Sequence, residues 1–383
     1  MQAYISRSIS QALQQALTAD PRKIILVYGP RQVGKTTLTQ HVLDQLADKR
    51  VLRINADLSA DTAVLSSRDL AQLRMLTGGY DYVLIDEAQR VPDIGINLKI
   101  LHDQFPALRL LVTGSSSLDL ANQVREPLTG RTRTFRMHPF SAGELAQHFG
   151  VWDFRRRLEE WLRFGMYPGV LEWENQAQKA SFLEELTQAY LYKDVLELSG
   201  IRHSDKLRDL LRLLAFQIGS EVSYNELGRR LGLDTMTVQR YVDLLEKAFV
   251  IQRLGGYSRN LRKEISRSQK IFFWDLGIRN ALIGRFAPLE QREDQGALWE
   301  NFLFVERRKY LDNRQQRAQP YFWRLQSGAE IDYVEEAEGQ LTGYGFKYAA
   351  KQARPPAAWQ ATYPGAAFHT VNRENWLPFV LGE

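Results

Sequence analysis

The sequence predicts an α/β protein of more than one domain: a parallel sheet with helices on both faces, then a helical region, then a second α/β domain. Short apolar runs, "IILVY" at 24–28, "VLRI" at 51–54, "YVLID" at 82–86 and "RLLVTG" at 109–114, recur with helical segments between them, the pattern of strands buried on both faces. From about 150 to 250 the periodicity becomes helical, as in "EELTQAYLYKDVLEL" and "DKLRDLLRLLAFQIG". Beyond it, "KIFFWDL", "PYFWRL" and "EIDYVEE" read as strands around a helix at "GALWENFLFVERRKYL". At 383 residues the chain also exceeds what one hydrophobic core usually fills.

The elements follow in order. Ile5, Ile9, Leu13 and Leu17 stand at helical spacing and predict an opening amphipathic helix within residues 1–20. That stretch lacks the apolar core of a leader, and no run approaches the length of a membrane span, so no membrane partner is expected. With no cysteine in the chain, disulfide frameworks, thiol catalysis and Cys-ligated metals are excluded. A cytoplasmic protein is the expectation.

After the first strand stands Gly29-Pro30-Arg31-Gln32-Val33-Gly34-Lys35-Thr36, the G-x-x-x-x-G-K-[ST] loop, with a helix after it. Its glycines let successive N–H groups face phosphate oxygens, and the helix N-terminus adds its dipole. Lys35 would reach the β- and γ-phosphates, Thr36 would ligate Mg²⁺, and Thr37 belongs to the same nucleotide-binding run. ATP and Mg²⁺ are the cofactors this implies. The strand "YVLID" ends in Asp86-Glu87, where Asp86 would complete the metal's surroundings and Glu87 would orient or deprotonate the attacking water. At the end of "LVTGSSS", Thr113 or Ser115 could position that water. Among Arg125, Arg131, Arg133 and Arg136, Arg131 follows a glycine and is the candidate to stabilise transition-state charge from a neighbouring subunit; Arg31 is a second candidate.

Taken in order, "YGPRQVGKTTL", "LIDEAQ", "LVTGSSS", "LTGRTRTFRMHPFSAGEL", "FGMYPGV", "AYLYKDV" and "IFFWDLGIRNAL" resemble a family of prokaryotic AAA-type ATP-binding proteins with a C-terminal restriction-endonuclease-like domain of unknown function. The resemblance covers nearly the whole chain. It implies a P-loop NTPase (AAA+) sheet over 1–150, a helical lid and winged-helix-like region over 151–255, and a restriction-endonuclease-like domain over 256–383. A ring, as a hexamer, is its implied assembly.

Within 223–254, Leu227 and Leu231 lie on one helix, "GLD" makes a turn, and Val238, Tyr241 and Leu245 line the next, which is helix-turn-helix grammar. Thr235, Thr237, Gln239 and Arg240 would face DNA, and "VIQRLGGYSRNLRK" would form a wing with Arg259, Arg262 and Lys263 on phosphates. The net charge is +5, and residues 251–270 hold six bases against one acid, Glu264. Winged helices also serve as protein-protein modules, so protein partners stay open. In the C-terminal domain the resemblance implies a helix Glu, a strand Asp and a Glu-x-Lys around a divalent metal. Glu300, Asp332 and Lys347 match, but the second carboxylate position is Gly345. Glu330 shares a face with Asp332 by strand alternation. Cleavage is therefore the disfavoured outcome. The functional expectation is an oligomeric ATPase that remodels or moves along double-stranded or branched DNA; a nucleotide-switched signalling or defence module and an ATP-gated nuclease are the alternatives.

Overall fold

Residues 4–46, 48–114, 128–199, 204–258, 269–325 and 327–382 are described by the computed structural model. They divide into two compact units, Ser6–Pro139 with Lys247–Phe249, and Phe140–Glu246 with Val250–Glu383 and the first residues of the chain.

In the first unit α1 (Ser10–Thr18) precedes β1 (Ile24–Tyr28), the phosphate loop and α2 (Lys35–Asp44). Then come β2 (Val51–Asn55), α3 (Ser59–Leu65), α4 (Leu70–Thr77), β3 (Tyr82–Asp86), α5 (Ile94–Gln104), β4 (Arg109–Gly114) and β5 (Thr132–Arg136). The sheet order is β2-β3-β4-β1-β5, with every pair parallel. β1 is therefore an interior strand, between β4 and β5, and Ile24, Ile25, Leu26 and Val27 are buried as their uninterrupted apolar run requires. Ile9, Leu13 and Leu17 bury the inward stripe of the N-terminal helix, and Leu38, Val42 and Leu43 that of α2.

The second unit begins with the helices α6 (Ala142–Phe149), α7 (Val151–Arg156), α8 (Leu158–Phe164), α9 (Gln176–Ser199) and α10 (Ser204–Phe216). It continues through β6 (Glu221–Val222), α11 (Tyr224–Leu231), α12 (Thr235–Lys247), β7 (Ile251–Gly256), β8 (Gln269–Phe273), α13 (Leu276–Leu282) and α14 (Gln295–Asn313). It ends with β9 (Gln319–Arg324), β10 (Glu330–Ala337), β11 (Gln340–Phe346), α15 (Ala357–Thr362), β12 (Ala367–Val371) and α16 (Trp376–Leu381). Its seven strands run β12-β11-β10-β9-β7-β8-β6. The segment expected to form only a wing is thus interior to that sheet: β7 pairs antiparallel with β8 and parallel with β9. A division at 255/256 would cut β7 in two. No described helix is long and apolar enough to cross a membrane.

Two motifs of unknown purpose in the sequence become structural here. Asp275, in "FWDLGIRNAL", caps α13 by accepting from Ile278 N and also accepts from Met166 N in "FGMYPGV". Burial raises its pKa, with Lys309 opposing. A Cβ at Gly165 would lie 2.0 Å from Asp275 Oδ1, so only glycine admits the carboxylate.

Candidate functional site

The site of the first unit is assembled at the C-terminal edge of its sheet. β1 delivers the loop there, β3 delivers Asp86, and β4 lies between them. The register sets Val27 beside Thr113 and Ile85 beside Val112, so Thr113 falls between the loop strand and the acidic strand. Gln32 and Gly34 both have positive φ, at 58° and 90°, the left-handed turns that let neighbouring N–H groups face one anion. Gly29 is obligatory for another reason. A Cβ there would meet Met137 O at 2.0 Å, where the chain leaving β5 crosses the loop.

Lys35 is buried, and its ammonium donates to Gly29 O at 3.0 Å and Pro30 O at 2.8 Å, which holds it over the loop. Thr36 and Thr37 open α2 at exposed positions. Thr36 Oγ1 donates to Asp86 Oδ2 at 2.7 Å. The fully buried Thr113 hydroxyl donates to Asp86 Oδ1 and accepts from Glu87 N at 3.2 Å. Both oxygens of one carboxylate are therefore held by hydroxyls. Glu87 stands in the left-handed region, φ 54°, and receives the Gln89 amide on Oε2. A non-glycine residue in that region costs about 1 kcal/mol or more and is typical of sites that over-determine a side chain.

These donors fit a Mg²⁺–nucleotide: one oriented carboxylate, a threonine hydroxyl, an ammonium and a turn of N–H groups. Thr36 and Asp86 would hold the ion, and Lys35 with Gly29–Thr37 the phosphates. Thr113, expected to face water, instead orients Asp86 and Glu87. Ser115 and Arg125 lie outside the described residues. Arg131 occupies the opposite edge: its carbonyl accepts from Ile24 N, and β5 runs parallel to β1 with Tyr28 beside Arg136. Four residues at about 3.3 Å separate it from the loop's edge, so it cannot complete the site of its own chain. It is tied to Asp103 by Nε–Oδ1 at 2.9 Å and Nη2–Oδ2 at 3.1 Å. Hydrogen bonds from Arg131 and then His102 hold the Asp103 carboxyl down, to about 2.

Residues 21–146 match the AAA domain family. An uncharacterized protein of Mycobacterium tuberculosis, Rv2008c, is 31% identical over 346 residues, which cover 89% of this chain and 73% of that protein. The chain belongs to the AAA-domain family. Beyond the AAA domain, residues 155–289 and 295–360 match two domains of unknown function, DUF8612 and DUF4143. The expected restriction-endonuclease likeness therefore finds no support in the family matches. An uncharacterized protein of Methanocaldococcus jannaschii, MJ1544, is 23% identical over 335 residues, covering 82% of this chain and 72% of that one. Two solved structures also align. The RuvB Holliday junction branch migration motor of Thermotoga maritima has TM-score 0.33 at 19% identity, over 64% of this chain and 87% of that one. AMPPCP-bound DnaA from Aquifex aeolicus has TM-score 0.31 at 16% identity, over 63% and 89%. Likenesses that loose say nothing further about this chain.

In this AAA-domain protein α11 and α12 form the expected helix-turn-helix, with Gly232 left-handed between them and Leu227, Leu231, Val238, Tyr241 and Leu245 buried. Thr235, Gln239 and Arg240 are exposed at the start of α12. Thr237 is not: its N–H and hydroxyl are taken by Asp234, at 2.8 and 2.6 Å. Asp234 places an acid where phosphate would approach. The basic cluster is also thinner than its count. Arg253 pairs with Asp243 at 2.6 Å and with Glu246, and Lys270 is buried against Glu300 and Glu330. Arg259, Arg262 and Lys263 lie outside the described residues.

In the C-terminal part, Asp332 accepts from Phe346 N at 2.7 Å and pairs with Lys347 at 3.7 Å. The register shift falls between Ile331 and Val334, and Glu330 and Asp332 stay half-buried with Ile331 buried between them, the shared face that strand alternation gives. Lys270 of β8, one of the six bases of residues 251–270, is buried and joins Glu300 and Glu330. Its spacing gave no local signal; a lysine inside the apolar run "KIFF" was the clue.

Proposed function

We propose that this protein is a magnesium-dependent ATPase that assembles into a ring, as a hexamer, and uses turnover to remodel or move along double-stranded or branched DNA. The observation that carries the hydrolytic part is the Asp86 carboxylate, fixed through both oxygens by Thr36 and Thr113 beside Glu87. Mg²⁺, when bound, supplies charge neutralisation at the phosphates. Lys35 balances phosphate charge, and the loop N–H groups fix the chain of phosphates against the start of α2. Glu87 orients the attacking water and accepts its proton. Thr113 keeps Asp86 and the Glu87 backbone in register, a positioning role. Arg131 acts on a neighbouring subunit's nucleotide after leaving Asp103, because its own phosphate loop is at the other edge of the sheet.

The helix-turn-helix, with Gln239 and Arg240 exposed on α12, supports DNA as the partner. Measuring ATPase rate and mass in solution with linear, forked and four-way DNA tests this reading. Turnover that rises with one DNA form, together with a ring-sized mass, is expected. Rates indifferent to every form and no DNA shift at low salt would contradict it. Asp234 at the start of α12 and the ion-paired Arg253 favour a second reading, a nucleotide-switched module acting through protein partners. Sustained multiple turnover coupled to DNA strand movement counts against that one.

A further inference from the structure

The likeness that marks Glu300, Asp332, residue 345 and Lys347 implies a divalent ion among them, and the residues present do not fit one. Position 345 is tightly packed, so a carboxylate there would have to displace its neighbours. Even a Cβ there would lie 3.0 Å from Phe368 Cζ and 3.1 Å from Ala353 Cβ, in the packing between β11 and β12. Among the described residues no three acidic or histidine side chains are arranged to hold a metal ion.

A different cation is already there. Lys270 projects from β8, the strand next to one edge of the second sheet, between β7 and β6. Its ammonium stands 2.8 Å from Glu300 Oε1 and 2.6 Å from Glu330 Oε1, with the Phe322 ring centroid 5.4 Å away. The side chain is only 4% exposed. An ammonium's N–H groups make charge-assisted bonds of about 2.7–2.9 Å, whereas Mg²⁺ requires oxygens at about 2.0–2.1 Å in an octahedron. The carboxylates converge at the first spacing. Lys347 meets Asp332 from the solvent side, and Arg324 approaches Glu330 at 3.9 Å, so each acid of the cluster already faces a base. Burial would lower the Lys270 ammonium, yet Glu300 and Glu330 hold it above its ordinary value.

We propose that the Lys270 ammonium is the resident cation of this carboxylate centre, standing where two acids converge, so that the C-terminal part of the chain takes no divalent metal. A dication would have to share that point with a fixed positive charge or expel a buried ammonium from both of its carboxylate partners. The proposal is independent of the ATPase reading, since it concerns residues of the second unit alone.

Isothermal titration of the nucleotide-free, full-length protein with Mn²⁺ tests it, with Asp332→Asn identifying any uptake that belongs to this centre. The wild-type chain is expected to show no Asp332-dependent site, and Lys270→Met is expected to gain one Mn²⁺ site per chain that Asp332→Asn removes. If Lys270→Met does not fold, Lys270→Met/Glu330→Gln removes one charge of each sign and is expected to gain the same site with Glu300 and Asp332. Wild-type uptake of Mn²⁺ that Asp332→Asn abolishes would overturn the proposal. So would a folded Lys270-substituted chain with no added site.

Discussion

Replacing Thr113 by valine keeps the side chain's shape and removes only its hydroxyl. That oxygen is fully buried, donates to Asp86 and accepts from Glu87 N. The bond to a charged group contributes about 1.5–3 kcal/mol, and leaving the Glu87 N–H without its acceptor costs about 1–3 kcal/mol. Part of this falls on folding, and a loss of about 2 kcal/mol would lower the melting temperature by about 6 °C. The rest falls on turnover, because Asp86 and the backbone of Glu87 lose their common anchor. Losing one preorganised polar contact of this kind reduces kcat by about a hundredfold, equivalent to about 2.7 kcal/mol. Lys35 and the loop are untouched, so nucleotide affinity should change by less than about threefold, or about 0.6 kcal/mol. Phosphate release at saturating ATP and titration with a fluorescent nucleotide separate the two effects, and Thr113→Ser, which keeps the hydroxyl, should retain most of the rate. A folded Thr113→Val protein with the wild-type kcat would refute the reasoning.

Other sites are as testable. Arg131→Ala should bind ATP normally and turn over slowly; mixing it with Lys35→Ala protein should restore activity, since each supplies what the other lacks, and no recovery in mixed assemblies would count against action between subunits. Gly29→Ala forces a Cβ to within 2.0 Å of Met137 O; it should lower stability by about 1–3 kcal/mol and weaken nucleotide binding, read by urea unfolding and nucleotide titration. Asp294 lies between Arg279 at 2.5 Å and Arg292 at 2.8 Å. Burial would raise its carboxyl, but hydrogen bonds from Arg292 and Arg279 outweigh this and hold it well below the usual range. A depressed folded pKa gives stability that is present above the unfolded value, about 3.9, and is lost as pH falls below it. Asp294→Asn should therefore cost about 3 kcal/mol at pH 7 and lose less than the wild type on acidification, as urea midpoints against pH would record.

Much of this was legible in the sequence, for identifiable reasons. The phosphate loop is local: its glycines, Lys35 and Thr36 act through one turn, so spacing alone finds it. The four apolar runs became β1 to β4 because a strand buried on both faces must be continuously apolar. Helices α11 and α12 followed from their 3.6-residue stripe. What escaped depends on partners distant in sequence. Residues 251–270 read as a basic surface because a charge count cannot see Glu246 behind Arg253 or Glu300 and Glu330 around Lys270. The role of Thr113 depended on strand order, since only the placement of β4 between β1 and β3 brings its hydroxyl to Asp86.

Hydrolysis by Glu87→Gln beside the wild type tests the central claim most directly. The amide keeps the side chain's size and removes its capacity to accept a proton. Nucleotide affinity should be preserved while Mg²⁺-dependent turnover falls by about a hundredfold or more, the scale of a general base. An unchanged rate of phosphate release from ATP would contradict the assignment of Glu87, and a wild-type protein that binds ATP without releasing phosphate would contradict the ATPase itself.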